Sequence, residues 1–355
     1  MQRTLVLITL LGLVVVSVAI GALASNWPFW SRALAWQNAA QGWPDSLGGP
    51  RQTLQAGAVP PLQIHGDAAL DELAASTDAT VLLVGAGGQV RAHFAAGNSA
   101  DSLIDGRGLS AALPALLVGV LASQRPALLD TPVGELVKEW AGDPRGAITS
   151  RQLLWQLSGL PAGPFHPLDP FSDQAALRSG PDFRRAVLGI GSAYPPGSHF
   201  EPSPANAQLL ALVAEAVTGQ DFATALQQRL WSAVASRPAQ GLLDHRRGML
   251  AAHCCFIAAA GDWLRLGLLL AGDARAGARQ LLSAEYLAEL LRQSPVHPGY
   301  GLGLEIQQGA QGVYLVLQSS GRLLAAAPGR GRALFWYGGE LTPRLRSRLL
   351  QELER

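Results

Sequence analysis

The chain has 355 residues, enough for a packed core and, as a length prior, for one large domain or two small ones. Hydrophobic residues make up 48% and charged residues 15%, the reverse of a disordered composition. The formal net charge is +1, so no basic field exists to hold a phosphate backbone and no nucleic-acid partner is expected.

Residues Thr4 to Ala24 form a stretch of 21 residues without a charge, and about 20 suffice to cross the hydrocarbon core as a helix. Trp27, Phe29, Trp30 and Trp36 follow, as an aromatic belt at the interface would. The expectation for residues 1–25 is a transmembrane anchor. The alternative is a signal peptide cleaved after Ala24, although a signal core is shorter, about 7–15 residues. Either reading exports the rest of the chain. The expected location is the cytoplasmic membrane, single-pass, with the domain on the periplasmic or extracellular side, or the periplasm if the segment is cleaved. Residues 26–65 are rich in Trp, Gly, Pro and Gln without periodicity. They read as a tether or as an irregular lead-in wrapped on the domain.

The remaining domain, residues 66–355, opens with a short helix from Asp67 to about Ser76. Thr80–Val84 and Gln89–Ala95 are β-rich runs around Gly85-Ala86-Gly87-Gly88, a hairpin signal rather than a phosphate loop. Leu109–Leu121 is a helical apolar run containing Pro114. Ile148–Leu157 reads as a capped helix, and Pro204–Thr218 as a strong helix with Gly219 as its stop. Gln220–Val234 and Ala258–Ala271 read as further helices. Gln311–Leu317, Arg322–Ala327 and Arg332–Tyr337 read as consecutive strands, and Pro343–Glu354 as a closing amphipathic helix. This order predicts an α/β (α+β) fold: an antiparallel sheet completed from both ends of the chain, flanked by terminal helices, with a helical subdomain inserted. The two cysteines, Cys254 and Cys255, are adjacent. They offer no disulfide framework and no metal-ligand spacing. Buried packing is the favoured reading and redox activity the alternative.

Several segments occur in a telling order: Leu128-Leu-Asp-Thr-Pro-Val133, Ile148-Thr-Ser-Arg-Gln-Leu-Leu-Trp-Gln-Leu-Ser-Gly-Leu160, Pro196-Gly-Ser-His-Phe200, Asn206-Ala-Gln-Leu-Leu210, Thr218-Gly219, and Met249–Phe256 followed by Asp262-Trp263. Together they resemble the class C β-lactamase-type serine hydrolases, which are penicillin-binding-protein-like, and most closely the 6-aminohexanoate-dimer hydrolase branch. The resemblance implies that fold over about residues 80–340. It also implies a Ser and Lys in S-x-x-K, a Tyr in Y-x-N and a K-T-G or H-x-G strand. In that chemistry the Lys, one turn after the Ser, takes the proton of the attacking hydroxyl.

Residue by residue, that pattern fails. Leu116-Leu-Val-Gly119 sets a register that puts Gly108 at the Ser position and Ala111 at the Lys position. No other alignment restores the lysine, because Lys138 is the only lysine in the chain, and a protonated guanidinium cannot act as base. Pro202 falls at the Tyr position, while Asn206 is kept. Ser319 falls at the His or Lys position of the third motif, where Gly321 is kept. Ser110 is the one candidate nucleophile, but two residues along a helix rotate a side chain by about 200°, away from the site. Ser158 and Ser203 read as a helix end and a loop. His166 and His199 are placed near the cleft by the resemblance and, with Asn206 and Gly321, are the candidate binding residues. Glu201 is a possible displaced acid–base group. No cofactor and no metal site are expected. The functional expectation is a catalytically inactive, membrane-anchored homologue that binds a cell-wall peptide or an envelope protein. The alternative is an active amide or ester hydrolase with rearranged residues.

Overall fold

A computed structural model of the chain describes residues 26–39, 43–44 and 47–355, and residues 17 and 21 before them. Apart from those two positions, the expected span Thr4–Ala24 and its cleavage site lie outside the described residues. Among the described residues, Arg107–Gln124 is long and apolar enough to cross a membrane, but 72% of it is buried inside the domain.

In chain order, helix α1 (Trp27–Gln37) precedes strands β1 (Arg51–Leu54) and β2 (Gln63–Gly66), helix α2 (Ala68–Ala75), and strands β3 (Ala79–Ala86), β4 (Gln89–Phe94) and β5 (Leu103–Asp105). The middle is mostly helical. A 3-10 turn (Arg107–Ala111) runs into α3 (Ala112–Gln124), and α4 (Asp173–Ser179) and α5 (Pro204–Thr218) follow among shorter turns. Strands β6 (Ala239–Leu242) and β7 (Phe256–Ala259), helix α6 (Ala260–Ala271), strands β8 (Glu305–Gly309), β9 (Gly312–Ser319), β10 (Arg322–Ala327) and β11 (Arg332–Gly338), and helix α7 (Pro343–Gln351) complete the chain.

The large sheet has the order β8-β9-β10-β11-β3-β4-β2. Strand β11 pairs antiparallel with β3, with Leu334 opposite Val84 and Phe335 opposite Leu83. The two ends of the chain therefore meet in the middle of one sheet, as the element order predicts. Strand β2, parallel to β4, is the exception to the antiparallel pattern. Side chains alternate across the sheet. Leu82, Val84, Leu334 and Trp336 face α2 and α7, against Leu70, Leu73, Leu345 and Leu349. Val81, Leu83, Leu324 and Phe335 belong to the other layer, with Trp263, Leu264 and Leu266 of α6. Each such buried side chain is worth roughly 1.5–3 kcal/mol relative to exposure.

Local signals explain most boundaries. Gly87 and Gly88 both adopt positive φ, 57° and 81°, which the tight β3–β4 turn requires. Helix α5 runs from Pro204 to Thr218, capped by Ser203 and stopped by Gly219 in the left-handed conformation. Pro114 does not break α3, because the α-helix proper starts at Ala112 and its first-turn N–H groups have no helical partner to lose. Three expected helices differ in the structure. The Ile148–Leu157 run is helical only from Ser150 to Leu154, behind a Thr149–Gln152 capping box. The Gln220–Val234 run is interrupted by a π-turn at Gln227–Trp231. The Ala258–Ala271 run begins as strand β7 and turns helical at Ala260.

The lead-in, residues 26–65, carries α1, β1 and β2, and β1 joins the second sheet, β1-β6-β7-β5. Its anchor is Arg32, fully buried in α1. The Arg32 guanidinium donates to the carbonyl oxygens of Gly48 (3.0 Å), Gly180 (3.1 Å), Leu243 (2.8 Å) and Asp244 (3.1 Å). Phe29 and Trp36 are buried against the domain, which corrects the reading of these two rings as an interfacial belt; Trp27 is exposed. Cys254 and Cys255 are buried beside Trp36, Leu47 and Phe183. They are bonded to each other as a disulfide, a state that the packing reading did not include.

Candidate functional site

The site begins at the turn that feeds α3. Arg107 holds a left-handed φ of 49°, a strained conformation for a non-glycine residue. Its own N–H donates to Asp105 Oδ1 at 2.8 Å. Next comes Gly108, whose N–H donates to Ser319 Oγ at 3.0 Å. A Cβ built on Gly108 would lie 2.8 Å from that oxygen and 3.7 Å from the ring of Trp43. Ala111 follows one turn later.

Gly108, Ala111 and Pro202 line one open cavity of about 380 Å³. The resemblance puts these three positions at the Ser, Lys and Tyr sites of the motifs, and the fold brings them together. Ser319 touches the same corner through its bond to Gly108 and opens onto a neighbouring hollow with Gly321 and Gly339. Gly321 adopts a φ of 70° in the β9–β10 turn.

The other proposed site residues lie elsewhere. Ser110 is buried and absent from the cavity lining; its Oγ accepts the N–H of Phe256 at 3.1 Å. It ties the α3 turn to β7, which is a structural position. His166 and His199 are exposed and line no part of the cavity; the His199 ring stacks on Tyr194. Asn206 sits behind the floor, fully buried, accepting from Ser158 Oγ and donating to Gln156 Oε1, both at 2.6 Å. Glu201 accepts the N–H of Ala162 at 2.6 Å and orders a loop. Lys138 is exposed, far from this lining.

The cavity also contains residues that the resemblance did not single out. Gln156 lines it with a φ of 59° and holds Ser203 N and Asn206 through its Oε1. Tyr300 lines it, its phenol pushed above the usual range by burial. Glu305 lines it too but is paired with Arg346 at 2.6 Å. Trp36 and Trp43 come from the lead-in, Arg178 from α4 and His253 from the segment before the cysteines. No local pattern separates Arg178 from the chain's other arginines, whereas His253 lies inside the Met249–Phe256 segment, which marks the stretch but not the residue.

Two hydroxyls flank this space as possible nucleophiles. Ser203 caps α5, accepting from Ala205 N and donating to the Pro161 carbonyl. Ser319 accepts from Gly108 N. Among the described residues neither bonds a His, Lys or carboxylate. In serine hydrolases the nucleophile's own N–H commonly helps to bind the oxyanion. Here the N–H at that position is already engaged by Ser319. Among the described residues no group of three His, Cys, Asp or Glu side chains converges as a metal site would.

A family model described as Beta-lactamase matches residues 67–342. No curated protein matches the chain. Among solved structures, the fold is similar to a Bacillus anthracis protein assigned as a 6-aminohexanoate-dimer hydrolase, with TM-score 0.71 and 17% identity over 86% of this chain and 89% of that one. It is also similar to a penicillin binding protein from Bacillus halodurans, with TM-score 0.62 and 16% identity over 81% and 99% of the two chains. A third is the octameric penicillin-binding protein homologue from Pyrococcus abyssi, with TM-score 0.56 and 15% identity over 80% and 76%. At these identities the likeness is one of fold.

Proposed function

Because the chain belongs to the beta-lactamase family yet carries Gly108, Ala111 and Pro202 where the resemblance expects Ser, Lys and Tyr, we propose that it is a binding protein of that fold. The observation that carries this reading is the lining of one open cavity by Gly108, Ala111 and Pro202. A glycine has no nucleophile, an alanine no base and a proline no hydroxyl. The cleft is nevertheless open, and binding needs only shape and a few polar groups. The uncharged Thr4–Ala24 stretch supports anchoring in the cytoplasmic membrane with the domain outside it. In that setting the ligand is a cell-wall peptide or a segment of an envelope protein.

The test is intact-mass measurement of the full chain in detergent after incubation with a fluorophosphonate and, separately, with benzylpenicillin. The expected result is an unchanged mass from protein shown to be folded by circular dichroism. A stoichiometric adduct on Ser203 or Ser319 would overturn the binding reading in favour of a hydrolase with rearranged residues.

A further inference from the structure

The binding reading leaves the cysteine pair unused. Cys254 and Cys255 are bonded to each other as a disulfide, and they are the chain's two cysteines. A disulfide stabilises a fold chiefly by closing a loop in the unfolded chain, and its value grows with the length of that loop. A bond between adjacent residues closes no such loop, so it adds next to nothing as a staple. It acts on the backbone between its own ends. Cys255 holds a left-handed φ of 70°, a conformation that glycine adopts freely and other residues adopt at a cost.

The hydrogen bonds around that backbone lead in two directions. The Cys255 carbonyl accepts from Arg51 Nη1 at 3.3 Å, and Arg51 also donates to the Leu47 carbonyl at 3.3 Å. The next N–H, that of Phe256, donates to Ser110 Oγ at 3.1 Å. The backbone at Cys255 therefore holds β1 of the lead-in on one side and the turn before α3 on the other. The pair is also covered by the lead-in. Cys254 and Cys255 are 1% and 2% exposed, packed among Trp36 and Leu47 of the lead-in and Phe183, Leu242 and Ala251 of the domain. Arg32, in the same helix as Trp36, fastens that cover through its four carbonyl partners.

We propose that Cys254–Cys255 is a redox site gated by the lead-in: a dithiol reduces it when the lead-in lifts, and the reduced pair no longer holds the lead-in in place. The step is a two-electron thiol–disulfide exchange. A thiolate of the dithiol attacks one cysteine sulfur, the Cys254–Cys255 bond breaks, and a mixed disulfide forms. The second thiol of the dithiol then displaces that cysteine. The dithiol leaves oxidised, as a cyclic disulfide, and its two protons end on Cys254 and Cys255. Attack needs a sulfur open to the incoming thiolate, and Trp36 and Leu47 close that approach. The coupling is reciprocal. A lifted lead-in favours reduction, and reduction frees Cys255 from the ring that fixes its φ, which loosens the Arg51 bond and favours lifting. The proposal does not depend on what the cavity binds.

The test treats the full chain in detergent with dithiothreitol, traps thiols with N-ethylmaleimide and follows intact mass against time. Without reductant no adduct is expected. With it the chain should gain two, about tenfold or more slowly when folded than in urea, because the folded chain must first open locally. Trp36→Ala, shown to be folded by circular dichroism, should be reduced faster than the parent. Hydrogen exchange of the fully reduced chain should rise in peptides from α1 and β1 and stay unchanged in β9 to β11. Adducts before any reductant, no reduction of the folded chain, or reduction as fast when folded as in urea would each overturn the proposal. So would unchanged exchange in α1 and β1, or a rise throughout the domain, which would make the bond a staple of the whole fold. An unchanged rate in folded Trp36→Ala would overturn the gating, and every other outcome is read on the unmutated chain.

Discussion

One wall of the cavity is Gly108, Ala111, Ala112 and Ala115, and the facing wall is Trp36, Trp43, Arg178 and His253. The first comes from a single helix start and ends in hydrogen or methyl groups. The second is assembled from three distant segments and carries rings, a cation and an imidazole. The walls meet at Trp43, 3.7 Å from where a Cβ on Gly108 would stand. The difference separates two kinds of requirement. Acylation calls for reactive groups, and the first wall presents only hydrogen and methyl groups. Recognition calls for shape and polar contacts, and the second wall presents rings, a guanidinium and an imidazole.

That division can be broken at the anchor of the second wall. Arg32→Leu leaves four buried carbonyl oxygens without their donor, and unfolding free energy should fall by roughly 3–5 kcal/mol. Urea denaturation measures it. Because α1 carries Trp36, tryptophan emission should shift to longer wavelength even before the domain unfolds. An Arg32→Leu protein as stable as the parent would remove the lead-in from the account of the site.

A smaller effect sharpens the chemistry of the second wall. The pKa of His253 is about 3 in the folded chain, below the ordinary 6.5 of an unfolded imidazole. Between those values the unfolded chain binds the extra proton, so stability falls as pH drops from about 6.5 toward 3. The charged group facing the ring is Arg178, which disfavours protonation further. Asp105, Glu215 and Asp262 are raised by burial and act in the opposite sense. The difference between parent and His253→Gln cancels them. Over that window the parent should lose on the order of a few kcal/mol more than the variant, measured by denaturation at stepped pH. Parallel curves would mean that the folded ring takes up the proton.

The smallest effect belongs to the first wall. Gly108→Ala adds a methyl 2.8 Å from Ser319 Oγ, which a rotation of that serine relieves. The gain from replacing glycine is about 0.4–1 kcal/mol, so the melting temperature should move little. Thermal denaturation measures it. A large drop would show that Ser319 cannot turn aside.

Legibility followed the same division. Helix α5, the β3–β4 hairpin and the strands β9 to β11 declared themselves, because each rests on a repeating pattern or on punctuation by Pro and Gly. The resemblance singles out Gly108, Ala111 and Pro202, and all three line one cavity. The second wall was not legible. Arg32 finds its carbonyl partners at Gly180, Leu243 and Asp244, 148 to 212 residues away, and no window of sequence contains that information. Ser110 attracted attention as a serine near the right place, yet its hydroxyl serves a backbone N–H. The resemblance points to His166 and His199 rather than to His253, yet of the three only His253 lines the cavity.

The most direct single measurement is a crystal structure of the chain soaked with benzylpenicillin, which carries a carboxylate, an amide N–H and a phenyl ring. Binding without acylation predicts an intact four-membered ring in the cavity. An opened ring bonded to a serine Oγ would contradict it.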